Sequence, residues 1–83
     1  MNIYVGNLDY KVQENDLERT FKDYGTVSSV NIITDKFNGR SKGFGFVTME
    51  NTDEAKNAIE DLNGATFENR EIVVNEARPR KQY

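Results

Sequence analysis

The eight residues Lys42-Gly43-Phe44-Gly45-Phe46-Val47-Thr48-Met49 constrain this chain more than any other stretch. Side chains alternate across a β-strand. Read as a strand, the segment puts Lys42, Phe44, Phe46 and Thr48 on one face and Gly43, Gly45, Val47 and Met49 on the other. An unpaired lysine is very rarely buried, so the lysine face is the solvent face and both phenylalanines point outward. Two isolated phenylalanines would ordinarily be read as core, but here that reading buries Lys42 and exposes Val47 and Met49. The glycines then fall on the covered side, where a missing side chain lets a helix approach closely.

The other elements follow from periodicity. Ile3 to Leu8 alternates and is rich in β-formers, which predicts a strand closed by Gly6-Asn7 and a turn at Asp9. From Glu14 to Tyr24 the apolar positions Leu17, Phe21 and Tyr24 recur at helical spacing, with acids in the first turn. Gln13 is a poor cap for that helix, and Gly25 stands where a C-terminal residue with positive φ is expected. Val27 to Thr34 is a second strand, and Asp35 to Ser41, with Asn38-Gly39 in its middle, is a hairpin loop longer than the tightest type. Asn51 and Glu54 have the spacing of a capping box, and Ala55, Ala58, Ile59 and Leu62 form one helical face before Asn63-Gly64 stops the run. Ile72-Val73-Val74 is the last strand, and Ala65–Phe67 is a candidate for a short hairpin arm ahead of it.

The order is βαββαβ. This is an α+β, ferredoxin-like pair of βαβ units. Right-handed crossovers place both helices on one face of a four-stranded antiparallel sheet, with the first and third strands side by side in the centre. Two short helices cover one face, and the other stays open. In the first strand Ile3 and Val5 share the inner face, which leaves Asn2, Tyr4 and Gly6 outside. Pairing the central strands therefore brings Tyr4, Phe44 and Phe46 together beside Lys42.

Composition removes whole classes of function. Among 83 residues there is no Cys and no His, so disulfides, thiolate or imidazole metal sites, Cys nucleophiles and His-based triads are excluded, and no metal is expected. No stretch approaches the roughly 20 apolar residues of a membrane span. The N-terminus lacks the basic region and apolar run of a signal peptide, so a monomeric cytoplasmic protein is the expectation. The net charge of −3 is unevenly spread: residues 36–42 hold Lys36, Arg40 and Lys42 with no acid, residues 78–83 hold Arg78, Arg80 and Lys81 with no acid, and all 14 acidic residues lie elsewhere. Such runs are usually just solvated. Charge permits a polyanion as partner and proves nothing further.

Three aromatics on an uncovered sheet form a patch that a soluble monomer seldom keeps without a use. Nucleic-acid bases supply one, because stacking on an aromatic ring contributes about 1–3 kcal/mol per base. Lys42 on the same face adds a contact to phosphate or sugar, and the loop and tail cations flank the platform, with a contribution that salt should weaken. Single-stranded DNA could stack in the same way, and no cofactor is expected.

Lys42 to Met49 resembles the octamer of the RNA-recognition motif, and Ile3-Tyr4-Val5-Gly6-Asn7-Leu8 resembles that family's hexamer on its first strand. The likeness runs from about Asn2 to Ala77, in the family's element order. It implies a single-stranded RNA partner, with Tyr4 and Phe44 stacking bases, Phe46 contacting a sugar or inserting between nucleotides, and Lys42 pairing with the backbone. It also implies base-edge contacts from the last strand and beyond, at Asn75, Glu76, Ala77 and Arg78. Asn31 and Ile33 would lie on the sheet face of the second strand, Asn2 at the end of the platform, and Arg40 and Arg80 among the flanking cations. Residues 1–77 would form the domain and 78–83 a short basic tail. A lone domain that opens on its first strand is similar to the small single-domain RNA-binding proteins of bacteria. The family pattern is broken at Met49, where an aromatic is usual, and by the acidic body.

Two other classes compete with this reading. Protein-binding members of the same family use the helix face, and acids at Glu14, Asp16 and Glu18 are shared with them. Those members tend to lose the aromatic triad and to carry Arg-x-Phe, where this chain has Arg70-Glu71-Ile72. An enzyme would need convergent groups. Asp53-Glu54 and Glu60-Asp61 are adjacent in a helix and point about 100° apart, and Gly43-Phe44-Gly45 lacks the third glycine of a dinucleotide fingerprint and the turn that carries it. Catalysis is not expected.

Overall fold

The computed structural model describes residues 1–39 and 41–77, with backbone alone at positions 41 and 42. The elements run β1 (Asn2–Gly6), α1 (Glu14–Lys22), β2 (Val27–Thr34), β3 (Ser41–Met49), α2 (Thr52–Leu62), β4 (Thr66–Phe67), β5 (Arg70–Glu71) and β6 (Val73–Glu76). Four strands form one antiparallel sheet in the order β2-β3-β1-β6, and β4 and β5 make a separate small hairpin. The fold is ferredoxin-like α+β.

Each helix begins where a side chain satisfies a backbone donor. Asn51 Oδ1 accepts from the Glu54 N–H at 3.0 Å at the start of α2, the N-cap bond the local sequence predicts. Gln13, the poor cap, is rescued from the other side: Asp16 Oδ2 accepts from the Gln13 N–H at 2.9 Å. At the far end of α2, Asn63 Oδ1 accepts from the Val74 N–H at 3.0 Å and fastens the helix exit to β6.

The core lies between the helices and one sheet face. Leu17 and Phe21 of α1 and Ala55 and Ala58 of α2 are buried against Ile3 and Val5 of β1, Val47 and Met49 of β3, and Val74 of β6. Ile72 is buried too, although β6 begins one residue later than expected. The alanines of α2 bring that helix close to the sheet. Tyr24, just past the end of α1, lies close to the Asp61 carboxylate of α2. Burial pushes the Tyr24 phenol above its ordinary pKa, and the Asp61 and Asp23 charges add to the rise.

Three local expectations are corrected. Gly25 does not adopt positive φ. A Cβ there would collide with the Glu54 side chain, so its small size serves helix contact and not a left-handed cap. Gly45 does not make room for a helix: a Cβ would come within 2.6 Å of the Asn31 carbonyl oxygen and 3.0 Å of Ile32 Cα on β2. Gly43 has φ of 85°, which strongly favours glycine. It sits at a register shift between Ile32 and Thr34, where β3 bulges. Regular β2–β3 pairing is interrupted between Ser41 and Gly45.

The β4–β5 hairpin turns through Glu68 (φ 51°) and Asn69 (φ 64°). Two consecutive positive φ values are what a two-residue type I′ turn requires. Among the described residues, no helix is long and apolar enough to cross a membrane, and no group of three or more His, Cys, Asp or Glu could hold a metal ion.

Candidate nucleic-acid interface

The face of the sheet opposite the helices carries the three predicted aromatics. Tyr4 of β1 lies opposite Phe46 of β3 in register, and Phe44 is two residues earlier on the same strand. The ring centroids are 5.9 Å apart for Tyr4–Phe46, 6.1 Å for Tyr4–Phe44 and 6.3 Å for Phe44–Phe46. Tyr4 and Phe44 are tilted by 31°, whereas Phe46 meets them edge-on at 63° and 87°. Separations of about 4.5–7 Å with tilted or edge-to-face geometry are favourable for aromatic pairs. All three rings are half-buried, so they shelter one another while keeping a face to solvent.

Register explains why the platform has polar ends. Asn31, Phe46, Tyr4 and Asn75 pair successively across β2, β3, β1 and β6. One row of the open face thus reads amide, ring, ring, amide, with both asparagines exposed. Asn2 and Thr48 form the neighbouring pair, and the Thr48 hydroxyl donates to Asn2 Oδ1 at 2.9 Å. Ala77 continues the β6 edge, its N–H bonded to the Asn2 carbonyl at 2.8 Å.

Of the residues singled out in the sequence, Asn2, Tyr4, Asn31, Phe44, Phe46, Asn75 and Ala77 therefore gather on or at the edge of the open face. Lys42 is located by its backbone in β3, and its side chain lies outside what is described. The same holds for Arg40, Arg78, Arg80 and the whole of the tail at 78–83, which lie outside the described residues.

Three further residues were not singled out as site residues from the sequence. Phe37, in the β2–β3 loop, is 99% exposed, its N–H held by the Asp35 carboxylate at 2.7 Å. Tyr10 is 68% exposed after β1. Arg70 reaches back across the sheet edge to Asn7, donating from Nη2 to Asn7 Oδ1 at 2.9 Å. That contact joins residues 63 positions apart, and no short-range pattern announces it. Phe37 had a usable sign, a large apolar residue between two cations in a turn.

Known RNA-binding proteins share this fold. The family model described as RNA recognition motif matches residues 3–73. The chain is 48% identical over 82 residues to RbpE of Nostoc sp., named as a candidate RNA-binding protein, covering 99% of this chain and 83% of that one. Its fold is similar to the crystal structure of the RNA-binding protein PG1, at 50% identity and a TM-score of 0.93 over 99% of both chains. It is similar too to the Sxl-lethal protein in a protein/RNA complex, at 30% identity and a TM-score of 0.90 over 98% of this chain and 48% of that one. The protein is a member of the RNA recognition motif family.

Proposed function

We propose that the protein binds single-stranded RNA on the open face of its sheet, with bases and sugars packing on Tyr4, Phe44 and Phe46. The observation that carries this reading is the cluster of three rings, 5.9–6.3 Å apart, on a face that no helix covers. Each stacked base contributes about 1–3 kcal/mol, and an aromatic patch on a sheet is otherwise a solubility cost. Family membership, and the RNA in the solved complex of a relative, support the same partner.

In this reading Asn31 and Asn75 face the edges of the stacked bases from the two ends of their row. Asn2 and Ala77 border the same face, and the cations Lys42, Lys36, Arg40, Arg78 and Arg80 meet the phosphates. Residues 1–77 are the binding unit and 78–83 a basic extension of it. The protein acts as a monomeric, cytoplasmic binding module and not as an enzyme. Single-stranded DNA stacks on the same rings, since stacking does not depend on the 2′-hydroxyl.

An NMR titration with a uridine-rich hexamer tests the proposal. Shifts should concentrate on the ring protons of Tyr4, Phe44 and Phe46 and on the amides of Asn31 and Asn75. Shifts confined to α1 and α2 would overturn it.

A further inference from the structure

Beside the platform lies a second concavity of about 210 Å³, lined by Tyr4, Asn7, Leu8, Tyr10, Gly43, Phe44 and Arg70. It shares two rings with the platform and adds a third aromatic and a guanidinium. We propose that this concavity is a nucleotide subsite that selects guanine, with Tyr10 offering a ring to the base and Arg70 reading its O6 and N7. The proposal rests on the RNA-binding reading above and deepens it by naming a base at one position.

Four observations converge here. The volume is below the roughly 300–1,000 Å³ of a drug-sized pocket, which suits a single base continuing a strand laid over Tyr4 and Phe44. Tyr10 is 68% exposed, and its ring edge lies near Gly43, where an added Cβ would be 3.9 Å from Tyr10 Cε1. Gly43, which lines the concavity with Tyr10 and Phe44, puts no side chain between them. Arg70 is held in place: one N–H goes to Asn7 Oδ1 at 2.9 Å, and Asn7 is itself anchored through Nδ2 to the Glu71 carbonyl at 2.7 Å. Asn7 adopts φ of 57° to do so, a conformation asparagine tolerates better than most residues. The bond to Asn7 uses one of the guanidinium's several N–H donors, and a planar fork matches the paired acceptors O6 and N7 of guanine.

The chemistry separates guanine from adenine. Adenine presents N7 beside an amino group, and a donor-only guanidinium cannot accept from it. Lysine at position 70 would keep the charge and lose the fork.

The test is a fluorescence-anisotropy comparison of a labelled uridine tetramer with the same tetramer extended by one guanosine or one adenosine at either end. Guanosine at one end should tighten binding about tenfold over adenosine there, in line with one good bidentate base contact. Arg70→Lys should abolish that preference while binding the plain tetramer as before. Tyr10→Ala should reduce the gain from either extension, and Tyr10→Phe should keep it. Because the Arg70–Asn7 bond could support the fold, thermal melting of each variant is recorded alongside, and Tyr10→Ala gives a second readout that leaves that bond intact. If the tetramer binds but guanosine and adenosine extend it equally, or the preference survives Arg70→Lys, the subsite is wrong and the platform reading stands. If Phe44→Ala leaves tetramer binding unchanged, or no oligomer binds, the platform reading falls and the subsite falls with it.

Discussion

Replacing Val47 by aspartate tests the assignment of the two sheet faces, on which the outward aromatics depend. Val47 is fully buried at the centre of β3, paired with Ile3 and Val30. Removing a buried valine forfeits about 1.5–3 kcal/mol, and an unsatisfied polar group adds about 1–3 kcal/mol. Val47→Asn should therefore cost about 2.5–6 kcal/mol, against a total stability of about 4–12 kcal/mol for a domain of this size. Aspartate adds a charge.

Burial without a partner raises a carboxyl pKa by about 3–5 pH units when the group is fully buried. With a raised folded-state pKa, the Val47→Asp protein matches Val47→Asn below the unfolded value of about 3.9. Stability is then lost at about 1.4 kcal/mol per pH unit as pH rises toward the folded-state value, and levels off above it. A rise at the low end of that range would remove a further ~4 kcal/mol by pH 7, enough to unfold the protein. Urea titrations followed by circular dichroism at about pH 4, 5, 6 and 7, with Val47→Asn as the uncharged control, measure the difference. A Val47→Asp protein within about 1 kcal/mol of the native chain at neutral pH would refute the face assignment.

Further outcomes follow from particular contacts. Asn51→Ala should cost about 1 kcal/mol in denaturant titrations by leaving the Glu54 N–H without its cap; no loss would mean water replaces the amide fully. Tyr24→Phe should lower stability by at most about 0.5–1 kcal/mol at neutral pH by removing the phenol's interaction with Asp61. Spectrophotometric titration should find Tyr24 ionising above the ordinary tyrosine range, and its stabilising effect, complete below about pH 10, should fade as pH rises through that higher value. Neutralising Arg78, Arg80 and Lys81 should flatten the salt dependence of RNA binding; an unchanged slope would exclude the tail from phosphate contact.

How much of this was legible in the sequence depended on range. The open face could be read because Val47 and Met49 demand burial on one side of the strand and leave Phe44 and Phe46 on the other, and the same logic placed Ile3 and Val5 inside; the bulge at Gly43 separates Lys42 from that alternation. The pairing of β1 with β3 follows from topology, so the three rings could be gathered from the sequence alone. Glycine was harder. Position 25 has the local look of a helix cap, but its requirement comes from Glu54 on another helix. Position 45 is emptied by the neighbouring strand, and position 43 by a bulge, neither of which alternation can reveal. Gln13 looked like a weak cap because the reciprocal half of the interaction, Asp16 to the Gln13 N–H, outweighs its own. The Asn7–Arg70–Glu71 linkage was invisible because its members meet only after β1 and the β4–β5 hairpin are in place.

The central claim is that the open sheet face, and not the helix face, is the RNA site. The most direct measurement is an anisotropy titration of labelled uridine-rich, adenosine-rich and mixed RNA oligomers with the native chain and with the Tyr4→Ala, Phe44→Ala, Phe46→Ala triple variant. Circular dichroism would be recorded for both. The native chain should bind and the variant should lose at least about 3 kcal/mol, the sum of several stacks at the low end of their range, while remaining folded. Equal binding by a folded variant, or no binding of any oligomer by the native chain, would contradict the claim and move the function to the helix face.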